Sequence, residues 1–141
     1  MPTPDLSNVK FPTLFNPNAN YSESDVCKEI KRRLTVDGFV ESRYAFGMTF
    51  LHYVVRAGYV SILDDLLKKE VCKSVGLTLD NRGVSLLHEC VKGKKYSDEQ
   101  LITLLKYLPE LLNVNTKDGQ TLIQYTKALE IESAVKILES Y

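Results

Sequence analysis

Tryptophan is absent from this 141-residue chain, and histidine occurs only twice. The three cysteines, Cys27, Cys72 and Cys90, form an odd number without C-x-x-C spacing, which disfavours a disulfide framework or a metal cluster. They lie in stretches of periodic apolar residues, so we expect reduced thiols that fill space in the core. The residues that usually carry chemistry are therefore few, and we expect no metal and no cofactor.

The chain also lacks net charge, since 18 Lys and Arg balance 18 Asp and Glu. No global field draws it to DNA, RNA or anionic lipid, so any electrostatic preference for a partner must be local. No apolar run approaches the roughly 20 residues of a membrane-spanning helix, and the first five residues do not resemble a signal peptide. We expect a soluble protein of the cytoplasm, the nucleus or both, monomeric on its own, that binds neither nucleic acid nor membrane directly.

The residues that are present suit one folded domain preceded by an extended arm. Hydrophobic residues make up 44% of the chain, which is enough for a continuous core at this length. Residues 1–21 hold four of the five prolines, and proline opposes helix formation. The arm nevertheless contains Phe11, Leu14, Phe15 and Tyr21. We expect it to pack on its own domain, with disorder or docking into a partner as the alternatives.

The first helix is predicted near residues 24–35, with Ser24 as a possible cap. Its apolar face is formed by Val26, Cys27, Ile30 and Leu34. The basic segment 28–33 lies on or beside the opposite face. We interpret this segment as a solvated helix surface rather than a localisation signal or a phosphate-binding patch.

The rest of the chain repeats with a period of 36 residues. Gly47, Gly83 and Gly119 are in register, each followed two positions later by a hydroxyl residue and four positions later by an apolar residue. The hydroxyl residues are Thr49, Ser85 and Thr121, and the apolar residues are Leu51, Leu87 and Ile123. Glycine tolerates the positive φ of a tight turn, and a hydroxyl can cap the first N–H groups of a helix. Each segment therefore predicts a helix start.

The two histidines, His52 and His88, stand three residues after their hydroxyl residues, where Gln124 stands in the third segment. From this position a side chain can reach back to the cap, and Thr121 with Gln124 forms a capping box. The segment His88-Glu-Cys90 offers three possible metal ligands, but successive helix residues point about 100° apart and cannot converge on one ion. We therefore interpret both histidines as structural. No P-loop, Rossmann, G-x-S-x-G or H-E-x-x-H motif occurs.

A second, longer apolar segment follows each helix start, so each repeat is predicted to form two antiparallel helices. The three segments are defined by Ile62, Leu63, Leu66 and Leu67, by Leu101, Ile102, Leu104, Leu105 and Leu108, and by Ile131, Ala134, Val135, Ile137 and Leu138. Leu105 lies 18 residues after Leu87, whereas Leu66 lies 15 after Leu51. The second repeat therefore contains about three additional residues between positions 93 and 100.

These residues resemble the ankyrin repeat, whose pattern is a glycine turn, Thr-Pro-Leu-His, small residues, Gly-His and an outer helix rich in Ile, Val and Leu. Residues 47–67, GMTFLHYVVRAGYVSILDDLL, are the most similar, although Phe50 replaces the usual proline and Val54 and Val55 replace alanines. The resemblance covers about residues 44–141. It implies an all-α ankyrin-repeat solenoid of about seven helices in residues 22–141, with a partial repeat at 22–43 and full repeats at 44–79, 80–116 and 117–141.

The resemblance also implies a non-catalytic module that binds another protein through the concave face of the stack. Its loop tips and inner-helix ends would be Tyr44, Ala45, Met48, Arg56, Ala57, Arg82, Val84, Lys92, Lys94, Gln120 and Ala128. Basic residues around the second repeat allow an acidic partner segment, with a merely solvated surface as the alternative. The rival functions are an IκB-like inhibitor of a transcription factor and a scaffold segment of a larger enzyme or receptor.

Overall fold

The computed structural model describes residues 5–141, and this part of the chain forms eight α-helices and no strand. The predicted all-α class is confirmed. The helices are α1 (Glu23–Arg33), α2 (Phe50–Ala57), α3 (Val60–Leu67), α4 (Glu70–Gly76), α5 (Leu86–Lys92), α6 (Asp98–Tyr107), α7 (Leu122–Ala128) and α8 (Glu132–Glu139). Helix α4 was not predicted. Within the described range no helix has the length and apolar character needed to cross a membrane.

The helices of residues 50–141 pack in two rows. In the inner row α2 contacts α5 and α5 contacts α7, while in the outer row α3 contacts α6 and α6 contacts α8. Two residues separate α2 from α3, whereas five separate α5 from α6. This difference of three confirms the insertion predicted in the second repeat.

The three predicted helix starts are confirmed. Thr49, Ser85 and Thr121 each accept a hydrogen bond from the N–H three residues later, at 3.3, 3.2 and 3.1 Å. The preceding glycines have φ values of +71°, +77° and +84°. Each loop is closed by the same backbone hydrogen bond, which joins Tyr44 N to Met48 O, Asp80 N to Val84 O, and Thr116 N to Gln120 O. The loop and the cap thus recur together every 36 residues.

The N-terminal arm packs on the domain, as expected, although its first four residues lie outside the described range. Phe11–Phe15 form a 3-10 turn that contacts α2, and the side chains of Phe11 and Leu14 are buried. The ring of Phe11 lies 5.1 Å from that of Tyr44 and 5.6 Å from that of Tyr53. The arm therefore covers the end of the inner row.

Helix α1 covers the corresponding end of the outer row, where Ser61 donates a hydrogen bond to Glu23 at 3.1 Å. It spans Glu23–Arg33, close to the predicted residues 24–35, and its cap is Ser22, whose hydroxyl accepts from Asp25 N. The prediction that Ser24 caps this helix is wrong.

The basic segment of α1 is only partly solvated. Lys28, Lys31 and Arg32 are exposed, but Arg33 is buried, which contradicts the expectation for that residue. Its guanidinium donates to the carboxylate of Glu29 and to the carbonyl oxygens of Leu6 and Val9. Arg33 thereby fastens the arm to α1.

The core lies between the two rows and is made largely of leucine. Leu51, Leu63, Leu87 and Leu104 are fully buried. Ile102, which was predicted to lie on the apolar face of its helix, is instead 48% exposed. The buried face of α6 is formed by Gln100, Leu101, Leu104 and Leu105.

Candidate functional site

Three of the predicted surface residues, Arg56, Arg82 and Lys92, converge on one carboxylate. Arg56 lies in the last turn of α2, Arg82 in the loop before α5, and Lys92 at the end of α5. Lys92 Nζ lies 3.3 Å from Glu89 Oε2, while Arg56 Nε and Arg82 Nη2 each lie 4.0 Å from Glu89 Oε1. The three cations were predicted as separate surface residues, and Glu89 was not predicted.

Glu89 is an unusual central residue because its side chain is only 2% exposed. Its Oε1 atom has no hydrogen-bond donor among residues 5–141, since the two guanidinium groups at 4.0 Å are too distant. A buried carboxylate needs compensating charge. The three cations around Glu89 supply that charge from two helices and a loop. Together with Gly93 and Lys94, these four side chains line a surface depression, which we call the basic depression.

Arg82 is held in place by Asp80. Its Nε and Nη2 atoms donate to Asp80 Oδ2 at 3.0 and 2.6 Å. Burial alone would raise the pKa of Asp80, but hydrogen bonds from Val84 N–H and from Arg82 outweigh burial and lower the pKa below its usual value. Asp80 therefore remains charged and orients the guanidinium.

The same guanidinium lies over an exposed aromatic ring, with Arg82 Cζ 5.1 Å from the ring centroid of Phe46. Phe46 is 64% exposed, and its φ of +59° lies in the left-handed region that non-glycine residues seldom adopt. Its carbonyl accepts a hydrogen bond from Asn81 N at 2.8 Å, which ties the first loop to the second. Phe46 was not predicted as a site residue, because a positive φ has no signal in residue type here.

The other predicted contact residues differ in accessibility. Met48 is 1% exposed and belongs to the core, so its assignment to the binding surface is wrong. Tyr44 is half-buried against Phe11 of the arm. The remaining side chains are at least partly exposed, namely Ala45, Ala57, Val84, Lys94, Gln120 and Ala128.

Both histidines contact helix caps, as predicted. His52 Nδ1 accepts from Thr49 N at 3.2 Å, and its Nε2 lies 3.0 Å from Val84 O in the next loop. His88 Nδ1 lies 2.7 Å from the hydroxyl of Ser85. Burial lowers the pKa of both rings, which favours their neutral forms. No group of three or more potential ligands in the described part of the chain suits a metal ion.

The cysteines have environments that suppress thiolate formation. Cys72 and Cys90 are buried and Cys27 is half-buried, and all three are free thiols. Burial raises the pKa of Cys90 to about 12 and that of Cys27 to about 11. A thiol with such a pKa stays protonated near neutral pH and is a poor nucleophile.

A larger cavity lies between the arm and the segment after α1, lined in part by Lys10, Phe11, Arg32 and Phe39. None of its lining side chains in the described range is a buried polar group without a partner, whereas the basic depression contains Glu89. We therefore take the basic depression and the adjacent Phe46 as the candidate site. Neither a scan against protein-family models nor a search of curated proteins finds a match to this chain.

Proposed function

We propose that this chain is an ankyrin-type repeat domain that binds another protein and catalyses no reaction. Its 36-residue period, the glycine loop with its capped helix, and the two rows of helices support the ankyrin assignment. An ankyrin-type stack uses the loop tips and the inner helices for binding. On this proposal the reduced cysteines fit a location in the cytoplasm or the nucleus.

The observation that carries the binding function is the convergence of Arg56, Arg82 and Lys92 on one exposed surface. Packing fixes the buried leucines of the repeats, such as Leu51 and Leu87. The three cations compensate the charge of Glu89, yet 55%, 38% and 28% of their side-chain surfaces stay exposed to a partner. Arginine and aromatic residues are enriched where proteins bind each other, and Phe46 adds an exposed ring to this surface.

The non-catalytic part of the proposal is supported by how the reactive side chains are used. His52 and His88 are engaged at helix caps, and burial keeps their rings neutral. Cys90 is held as a protonated thiol. The caps occupy the Nδ1 atoms of both histidines, a lowered pKa disfavours the imidazolium form that a general acid needs, and a protonated thiol is a poor nucleophile.

The test is cross-linked affinity capture from the cells that make the protein, followed by quantitative mass spectrometry. Three forms are compared: the unchanged protein, the double variant Arg56→Glu/Lys94→Glu, and the control Lys28→Glu/Lys136→Glu on exposed positions of the outer row. We expect one defined set of proteins to be captured by the unchanged protein and the control but at least tenfold less by the Arg56/Lys94 variant. Equal capture by all three forms, or loss only in the control, would contradict the proposal.

A further inference from the structure

The basic depression has a local charge excess although the whole chain has none. Four cations, Arg56, Arg82, Lys92 and Lys94, stand against two carboxylates, Asp80 and Glu89. The excess of two positive charges is concentrated where α2, α5 and the loop before α5 meet. Because the whole chain is formally neutral, the remainder carries a net charge of −2, and an anionic group is therefore attracted to this position in preference to the rest of the surface.

The cations of the depression are not equally available to a ligand. Arg82 is hydrogen-bonded to Asp80, and Lys92 is paired with Glu89. Arg56 has a 3.8 Å contact with the sulfur of Met48, the 4.0 Å approach to Glu89 and a position 6.0 Å from the ring centroid of Tyr53, and none of these is a hydrogen bond to a carboxylate. Lys94 is exposed and forms no ion pair with any residue of the described range. Arg56 and Lys94 therefore retain most of their capacity to bind an anion.

Glu89 restricts the kind of anion that fits. Its buried Oε1 atom, which finds no donor within residues 5–141, lines the same depression and requires an N–H or O–H group. The phosphodiesters of a nucleic acid backbone carry acceptors and no donor, so they would add a second negative charge beside Glu89 without satisfying it. A peptide supplies both partners, because an aspartate or glutamate side chain provides the anion and the adjacent backbone provides an N–H donor.

Phe46, at the edge of the depression, favours a partner segment that also carries an apolar residue. Its ring is exposed and is covered on one face by Arg82. A non-glycine residue in the left-handed region, such as Phe46 with its φ of +59°, is strained, and strained residues of this kind cluster at binding sites. A large apolar side chain next to the acidic residue would bury this ring.

We propose that the basic depression binds an acidic segment of a partner protein, with a carboxylate of that segment against Arg56 and Lys94 and one of its backbone N–H groups donated to Glu89. An apolar residue beside the acidic one packs on Phe46. This inference rests on the proposed function and specifies the chemistry of the partner.

The probe is a library of random peptides of about 12 residues displayed on phage and selected on the full chain. We expect the recovered peptides to be enriched in Asp or Glu next to a large apolar residue. Fluorescence anisotropy should show at least a tenfold weaker affinity for Arg56→Gln/Lys94→Gln and an unchanged affinity for the control Lys28→Gln/Lys136→Gln. The affinity should also fall as salt rises from about 0.05 to 0.5 M. Circular dichroism and melting temperature report whether each variant is folded.

Two further measurements distinguish binding of a peptide from binding of other anions. Methylation of one backbone nitrogen at or beside the acidic residue should weaken the peptide at least tenfold, because it removes the donor for Glu89. A double-stranded DNA oligonucleotide of equal charge should not displace the peptide, and displacement at equal concentration would overturn the inference. Three results would overturn the inference while leaving the proposed function intact. The recovered peptides could lack acidic enrichment, they could bind the Arg56/Lys94 variant as tightly as the unchanged protein, or no methylation could weaken them. Recovery of no peptide would count against both.

Discussion

Replacement of His52 by glutamine should lower the free energy of unfolding by about 1 kcal/mol, whereas the same change at His88 should alter it by less than about 0.5 kcal/mol. Glutamine is compatible with the helix cap, because Gln124 occupies the equivalent position and its Oε1 accepts from Thr121 N at 2.9 Å. His52 Nδ1 also accepts from Thr49 N, a bond that the glutamine should keep and that has no counterpart at His88 within residues 5–141. The difference that the substitution removes is at the second nitrogen. His52 Nε2 contacts Val84 O at 3.0 Å, whereas His88 Nε2 has no partner in the described range.

The expected loss at His52 is one hydrogen bond between neighbouring loops, and a typical net value is about 1 kcal/mol. It should not be larger, because Val84 O still accepts from Asp80 N after the change. Urea unfolding at neutral pH measures the difference, which for a domain of this size corresponds to roughly 4 °C in melting temperature. Equal losses for the two variants, or a larger loss at His88, would refute the reasoning that the His52 contact joins the repeats.

Three further predictions concern protons, the arm and metals. The pKa of both His52 and His88 is lowered by burial, so the unfolded chain binds more protons below about pH 6.5. The free energy of unfolding should therefore fall between pH 7.5 and 5.5, and less steeply for the double glutamine variant; a pH-independent urea midpoint would contradict this. Arg33→Met should lower stability by about 2 kcal/mol and expose the arm to proteolysis, whereas Arg32→Met, at a half-exposed position on the same carboxylate, should lower stability less. Dialysis against a chelator should leave the melting temperature unchanged, and stoichiometric zinc in elemental analysis would contradict the assignment of the histidines to caps.

The repeated loops and caps could be predicted from the sequence because their signals are local. A glycine with positive φ and a hydroxyl two residues later act on their immediate neighbours, so a 36-residue register of Gly47, Gly83 and Gly119 was sufficient. Helix α4 carries no comparable signal, since it has seven residues and is held by packing on α3. Its short apolar pattern of Cys72 and Val75 cannot establish a period.

The candidate site was only partly predictable because its centre depends on contacts between repeats. Arg56 and Lys92 could be found as equivalent positions, 36 residues apart. Glu89 could not, since its role arises from the approach of α2 to α5 and its place in the sequence is that of an ordinary helix residue. The prediction that Met48 belongs to the binding surface was wrong because the loop packs on the core. This packing buries a side chain that the sequence pattern places at the loop tip.

The buried carboxylates divide the basic residues of this protein into two kinds. Arg33 donates hydrogen bonds to Glu29 and holds the arm in place. Arg82 donates hydrogen bonds to Asp80 and holds the second loop in place. Replacing either one removes a hydrogen-bonded partner of a buried carboxylate, so a loss of binding in such a variant could reflect a displaced backbone. Arg56 has no hydrogen-bonded carboxylate within residues 5–141, and its charge is therefore available to a ligand. Substitution of Arg56 is consequently the more direct measure of recognition, and substitution of Arg82 measures the architecture of the loop as well.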